Sequence, residues 1–85
     1  MATTFGYGND QYTAKLKLWI DGCLAEFGKL TEYYRQMTWS HVIHKLRNTY
    51  GYKSTRAIPE NKRTDIEQFI KDTATQFFEW KGWGS

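Results

Sequence analysis

Two histidines, a single cysteine and a few serines are the residues of this sequence whose types could support metal binding or catalysis. His41 and His44 lie three residues apart, so on a helix they share one face, as two metal ligands can. A stable metal site needs a third and a fourth ligand, and no acid stands at a recognisable spacing from this pair. We therefore predict no metal and no other cofactor, and we interpret the histidines as surface or boundary residues, with His44 close enough to its basic neighbours to contact phosphate.

Nucleophilic catalysis would need a cysteine or a serine held beside a base. Cys23 falls on the apolar side of a predicted helix, so we expect a buried free thiol, and Ser40 beside His41 lacks the strand-to-helix context of a catalytic serine. A chain of 85 residues also has little room for a recessed catalytic pocket. We predict that the protein is not an enzyme.

The cations of the chain are strongly segregated. Residues 35–63 hold seven basic residues and one acidic residue, whereas the rest of the chain holds five basic and eight acidic residues. A net charge of +3 therefore understates the local positive charge. Clustered cations favour a polyanionic partner, because binding releases the counterions condensed on it.

Nucleic-acid binding is the function that these cations predict. Tyr50 and Tyr52 lie within the same segment and would stack on the bases of a single strand, or else belong to the core. The sequence does not distinguish DNA from RNA, and we expect no strong base specificity. The residues expected to contact phosphate are Lys45, Arg47, Lys53, Arg56, Lys62 and Arg63.

Protein binding is the alternative function. Four large aromatic residues lie close together in the sequence near the C-terminal end, and a bundle of this size cannot bury all of them. An exposed aromatic patch there would make the protein an adaptor, an inhibitor or an oligomerisation module, with a host or phage protein or a second copy in a homodimer as its partner. The residues of this expected patch are Phe77, Phe78, Trp80 and Trp83.

Three stretches with helical spacing of apolar residues must position these groups. The first runs from an Asn9 cap, with Asp10 in its first turn, to a stop at Gly28. The second stops at Gly51 and is capped either by Thr31 or by Thr38, so it is either one helix over 32–50 or a turn followed by a helix from about residue 39.

The third helix follows Pro59, which disfavours a helical conformation at Ile58. Pro59 suits the first turn of this helix, whereas the capping-box spacing of Thr64 and Glu67 allows a start as late as residue 65, and the helix ends at 81–82.

These elements predict a compact all-α fold, a three-helix or four-helix bundle with an aromatic core. Residues 1–8 are expected to be a flexible arm, residues 9–81 a single helical domain and residues 82–85 a short tail. The unpaired cysteine, the lack of a signal-peptide pattern and apolar runs of at most three residues predict a cytoplasmic protein without a membrane partner.

Residues 41–80 resemble the small C-terminal helical domain of phage antirepressor proteins. The resemblance covers about half the chain and implies a phage or mobile-element origin and a role in DNA-linked transcription regulation. It brings no catalytic residue, and the chain lacks room for the N-terminal domain that those antirepressors carry. The shared features are a basic helix, an aromatic-glycine pair, an Ile-Pro pair and a helix ending near Trp, here Trp39, Ile43, Lys45, Leu46, Arg47, Tyr50, Gly51, Tyr52, Ile58, Pro59, Ile66, Phe69, Ile70 and Trp80.

Overall fold

Three α-helices form the domain in a computed structural model that describes residues 11–83. Each helix packs against the other two, and no strand occurs within the described range. The prediction of an all-α three-helix bundle is confirmed, while the predicted arm, the Asn9 cap with Asp10, and the last two residues of the tail lie outside the described residues. No helix in this range is long and apolar enough to cross a membrane. The helices are α1 (Gln11–Glu26), α2 (Glu32–Tyr50) and α3 (Arg63–Lys81), with 3₁₀ turns at Thr55–Ala57 and Glu60–Lys62 between α2 and α3.

The predicted glycine stops are confirmed at the ends of all three helices. Gly28, Gly51 and Gly82 have φ values of 72°, 85° and 75°, the left-handed conformation that terminates a helix. After α3, the Trp83 N–H donates to the Phe78 carbonyl at 3.0 Å. This Schellman-type turn folds Trp83 back over the helix that precedes it.

One continuous helix, α2, resolves the alternative that the sequence left open. Thr31 is its cap: the residue is extended, and its hydroxyl accepts the Tyr34 N–H at 3.4 Å. Thr38 is fully buried within the helix, and its hydroxyl donates to the Tyr34 carbonyl at 2.9 Å. Residues 32–50 therefore contain no break, and a fourth helix does not form there.

The predicted capping box of α3 is wrong. The helix begins at Arg63, so Thr64 already lies inside it, and the capping position is Lys62, whose side chain makes no capping hydrogen bond. Glu67 instead pairs with Lys15 of α1 at 3.5 Å and with Lys71 at 3.1 Å, which ties α1 to α3. Ile58 is extended, as the following proline requires.

The buried core is aliphatic apart from two phenylalanines. Burial of the core side chains supplies the main favourable free energy of folding. Partly buried rings, including Trp19, Tyr34 and Trp83, surround this core as an aromatic cluster. The core residues are Leu16, Ile20, Leu24, Val42, Leu46, Ile58, Ile66, Ile70, Ala74, Phe77 and Phe78.

Lysine side chains cover three of the four indole rings. The Lys71 ammonium lies 5.6 Å from the ring centre of Trp19, that of Lys17 lies 5.2 Å from Trp39, and that of Lys81 lies 4.7 Å from Trp80. These distances suit a cation–π interaction.

Cys23 is half-buried rather than buried, which corrects the expectation from its helical position. Desolvation raises the pKa of its thiol, and the nearby Glu26 carboxylate raises it further, so the reactive thiolate is disfavoured.

We expect Gly22→Ala to stabilise the protein. Gly22 is an exposed residue inside α1, and a Cβ atom built there meets no atom within 4 Å. Alanine in a helix interior is favoured over glycine by about 1 kcal/mol, so the melting temperature should rise by roughly 4–8 °C. The measurement is thermal unfolding followed by circular dichroism.

Gly51→Ala is the matched control for this substitution. Its Cβ also meets nothing within 4 Å, but its φ of 85° is unfavourable for alanine. This variant should lose about 1 kcal/mol of stability. Equal effects of the two substitutions would contradict the assignment of Gly22 to a helix interior.

Candidate nucleic-acid interface

Residues 51–62 join α2 to α3, and we call them the connection. A concave surface of about 620 Å³ lies where α1, α2 and the connection meet. We call it the basic groove. Helix α1 contributes two of its lining residues, α2 five and the connection four. They are Thr13, Lys17, Trp39, Ser40, Ile43, His44, Arg47, Lys53, Ser54, Thr55 and Arg56.

Helical spacing brings the five α2 residues onto one face. Ile43 and Arg47 lie four residues apart, as do Ser40 and His44, so their side chains are neighbours along the helix. Arg47 projects from the last turn of α2, close to the point where Gly51 reverses the chain. The reversal brings Lys53 back beside the helix.

The connection is held against α1 by two buried side chains. The hydroxyls of Thr55 and Thr13 are hydrogen-bonded at 2.5 Å, and Thr55 is only 2% exposed. Ile58 is buried in the core three residues further on. The chain between Lys53 and Arg56 is therefore fixed beside α1, and both cations lie on the groove.

The groove concentrates positive charge. Lys17, Arg47, Lys53 and Arg56 are all exposed, and no acidic residue is found among the described residues that line it. Within residues 11–83, Lys17, Arg47 and Lys53 form no ion pair with a carboxylate. Three separate segments of the chain thus contribute charge to one surface, which strengthens the local potential.

The charge declines toward the other end of α2. A smaller hollow of about 370 Å³ continues the groove past Trp39 to Arg35. Arg35 Nε donates to Asp21 at 2.9 Å, and its Nη1 donates to Glu32 at 3.0 Å. These bonds raise the pKa of Arg35, while hydrogen bonds from Gln36 and Arg35 lower the pKa of Glu32. Paired charges leave little attraction for an anion there.

Half of the predicted phosphate contacts lie on the groove. Arg47, Lys53 and Arg56 are brought together, whereas Lys45, Lys62 and Arg63 are not among its lining residues. Lys45 lies near the ring of His41, on the side of α2 that faces α3, and it lowers the pKa of that ring. Lys62 is exposed in the second 3₁₀ turn.

Arg63 has a structural role. Its Nε donates to the Ile58 carbonyl at 3.1 Å, and its guanidinium carbon lies 5.1 Å from the ring centre of Tyr12. The Tyr12 hydroxyl donates to the Arg63 carbonyl at 2.9 Å. These contacts join the starts of α1 and α3 and explain a cation at a helix N-terminus, where the macrodipole disfavours it.

Lys17 is the groove cation that the sequence-based prediction missed. It belongs to α1, outside the basic segment, and reaches the groove because α1 packs beside the connection. Its ammonium lies over Trp39, which is half-buried on the groove wall.

Tyr50 is not a core residue. Its side chain is 47% exposed, and its ring packs edge-on against Phe69 with centres 5.1 Å apart. Tyr52 is half-buried and nearly parallel to Tyr50, with ring centres 6.2 Å apart at 18°. The two rings form an offset stack at the surface.

The predicted exposed aromatic patch is wrong for two of its four members. Phe77 and Phe78 are only 4% and 3% exposed, because both lie on the face of α3 that packs against the core. Trp83 is half-buried, with its ring centre 5.0 Å from that of Tyr34. Trp80 alone of the four is largely exposed, at 72%.

His41 lies at the boundary of the core, where its ring stacks on Phe77 with centres 4.4 Å apart. Burial lowers the pKa of this imidazole, and the charges of Lys45, His44 and Lys81 lower it further. His44 Nε2 is 3.0 Å from Asn48 Nδ2. No group of three His, Cys, Asp or Glu side chains within the described range could hold a metal ion.

We expect His41 to titrate below the ordinary value for histidine, which is about 6.5. Lys45→Gln and Lys81→Gln should each raise the pKa of His41, because each removes a positive charge near the imidazole. Proton NMR of the ring across a pH series measures both effects, with Lys62→Gln as the control.

The lowered pKa also sets the sign of a stability effect. The unfolded chain takes up the His41 proton first as pH falls, so stability declines below about pH 6.5 until the folded ring is also protonated. A His41 pKa that equals the ordinary value and does not change in either lysine variant would contradict the packing described for this ring.

Comparison of the chain with known protein families, with curated proteins and with solved structures found no match in any of the three. The resemblance to phage antirepressor domains therefore stays a prediction from sequence.

Proposed function

We propose that this chain is a non-enzymatic domain that binds nucleic acid through the basic groove. The observation that carries the proposal is the convergence of Lys17, Arg47, Lys53 and Arg56, from three segments of the chain, on one concave surface. None of the residues that line it within positions 11–83 is acidic. Phosphate backbones are the ligands that such a surface attracts most strongly, through charge neutralisation and counterion release.

The neutral residues of the groove suit the same ligand. Ser40 and Ser54 carry hydroxyls that donate to phosphate or sugar oxygens. Trp39 offers part of an indole ring to the same surface. Contacts of this kind position a nucleic acid without reading its sequence, so binding should depend weakly on base order.

A role in DNA-linked regulation in the cytoplasm of a phage host extends this proposal. Its support is the resemblance of residues 41–80 to antirepressor domains, and the groove supplies a physical means of contact with DNA. Arg47 and Lys53 lie inside the stretch that carries the resemblance.

Removal of three groove cations should abolish most of the affinity for nucleic acid. The variant is Lys17→Gln, Arg47→Gln and Lys53→Gln, three exposed residues whose replacement leaves the core untouched. Fluorescence anisotropy of labelled single-stranded and duplex DNA across a salt series measures the binding. The wild-type affinity should fall linearly in log salt, and each lost contact should flatten the slope by about 0.7 on a single strand or 0.9 on a duplex.

The matched control removes three exposed lysines elsewhere, by Lys45→Gln, Lys62→Gln and Lys81→Gln. Both triple variants have the same net charge, so a difference between them reports the location of the charge. Equal weakening by the two variants would refute the groove as the site, and no binding at low salt would refute nucleic-acid binding altogether.

Protein binding through Trp80 is the second candidate function. Its indole is 72% exposed on α3, and the ammonium of Lys81 lies over it. Lys45 lies on the same side of the molecule, since the charges of Lys45 and Lys81 both lower the pKa of His41. An exposed tryptophan flanked by cations suits an acidic protein surface, with the aromatic ring as the anchor of the contact.

The homodimer form of this candidate makes a direct prediction. If Trp80 anchors a second copy, sedimentation velocity should show association that increases with protein concentration, and Trp80→Ala should abolish it. The control is Tyr33→Ala, which removes another exposed ring at the start of α2. A monomer at every concentration would exclude self-association.

A further inference from the structure

We infer that the basic groove binds nucleic acid as a single strand, with a base stacked on Tyr50. This inference rests on the proposed function and identifies the form of its ligand. The observation behind it is the stacked pair of exposed Tyr50 and half-buried Tyr52, which lies in the sequence between Arg47 and Lys53 of the groove.

Tyr50 adjoins the groove at the end of α2, although it is not among the residues that line it. It follows Arg47 by three residues and Ile43 by seven, so all three lie on one face of the helix. Tyr52 immediately precedes Lys53, a cation of the opposite wall. The stacked pair of rings therefore stands at the end of the groove where α2 gives way to the connection.

The ring of Tyr50 is held in place and still accessible. Phe69 packs against it at 5.1 Å and Tyr52 lies beside it at 6.2 Å, while 47% of the residue remains exposed. A ring restrained in this way loses little conformational freedom when a base stacks on it. Base stacking on such a ring tolerates any sequence, because every base has a π-face.

The geometry favours a strand of a few nucleotides. Trp39 and Tyr50 are eleven residues apart on α2, a distance of about 16 Å along the helix axis. Arg47 lies between these two aromatic residues along the helix, and Lys17 and Lys53 line the same groove. The alternation of rings and cations matches the alternation of bases and phosphates in an unpaired strand.

A duplex cannot use Tyr50 in this way. Its bases are stacked on one another and paired, so only their edges reach the grooves. A duplex would contact the cations alone. Single-strand preference should therefore depend on Tyr50, whereas the salt-dependent affinity should depend on the cations.

The test compares three probes of equal length by fluorescence anisotropy at one salt concentration. They are a labelled oligothymidylate, an abasic strand with the same phosphates and no bases, and a mixed-sequence duplex. The wild type should bind the oligothymidylate most tightly. Tyr50→Ala should weaken that binding by roughly 5- to 150-fold, the value of one stacked base, and should leave the affinities for the abasic strand and the duplex unchanged.

Two further variants separate stacking from folding and from general exposure. Tyr50→Leu keeps an apolar side chain against Phe69 without a ring on which a base can stack, so it should behave as Tyr50→Ala does. Tyr33→Ala removes a tyrosine that is 67% exposed at the far end of α2 and should change nothing. Thermal unfolding of each variant is the check that it is folded.

The outcomes distinguish this inference from the function on which it rests. Equal affinity for single strand and duplex, or oligothymidylate binding that survives both Tyr50 variants, would overturn the single-strand inference. The groove would stand as the site if the triple groove variant still lost binding. Absence of binding to all three probes would overturn the proposed function and the inference with it.

Discussion

The attachment of the α2–α3 connection to α1 is the constraint on which the rest of the structure depends. A connection between two helices usually lies free at the surface, but here Ile58 is buried in the core and Thr55 is bonded to Thr13. Arg63 and Tyr12 add a second pair of contacts just beyond it. This attachment determines where α3 begins, and it also places the connection as one wall of a groove.

Stability and the candidate function therefore rely on the same segment in different ways. Thr55 and Ile58 of the connection are buried, whereas Lys53 and Arg56 remain at the surface. These contacts hold the backbone that carries Lys53 and Arg56 beside α1. Cations held on a fixed framework bind a regular polyanion at a lower entropic cost than the same cations on a mobile loop.

The sequence was sufficient for the helices and for part of the site. Glycine stops at Gly28, Gly51 and Gly82 and the restriction of Ile58 by proline are local effects, and all were predicted correctly. The capping box of α3 was not, because the tertiary contacts of Arg63 outweigh the local signal of Thr64 and Glu67. Lys17 could not be assigned to the groove, since its membership depends on the packing of α1. The exposure of Tyr50 and the burial of Phe77 likewise follow from the orientation of the helices, which hydrophobic periodicity does not give.

The lysines that lie over Trp19, Trp39 and Trp80 have a consequence for how copies of this protein meet. A chain with 18% aromatic residues would be expected to expose adhesive surface. Lys17 at Trp39 and Lys81 at Trp80 place a hydrated charge beside the indole, whereas Lys71 at Trp19 is paired with Glu67. Neighbouring molecules then meet like charge beside these two indoles, which opposes clustering in a crowded solution. Acetylation of Lys17 and Lys81 would remove that repulsion, so the colloidal behaviour of the domain is tied to the charge state of two side chains.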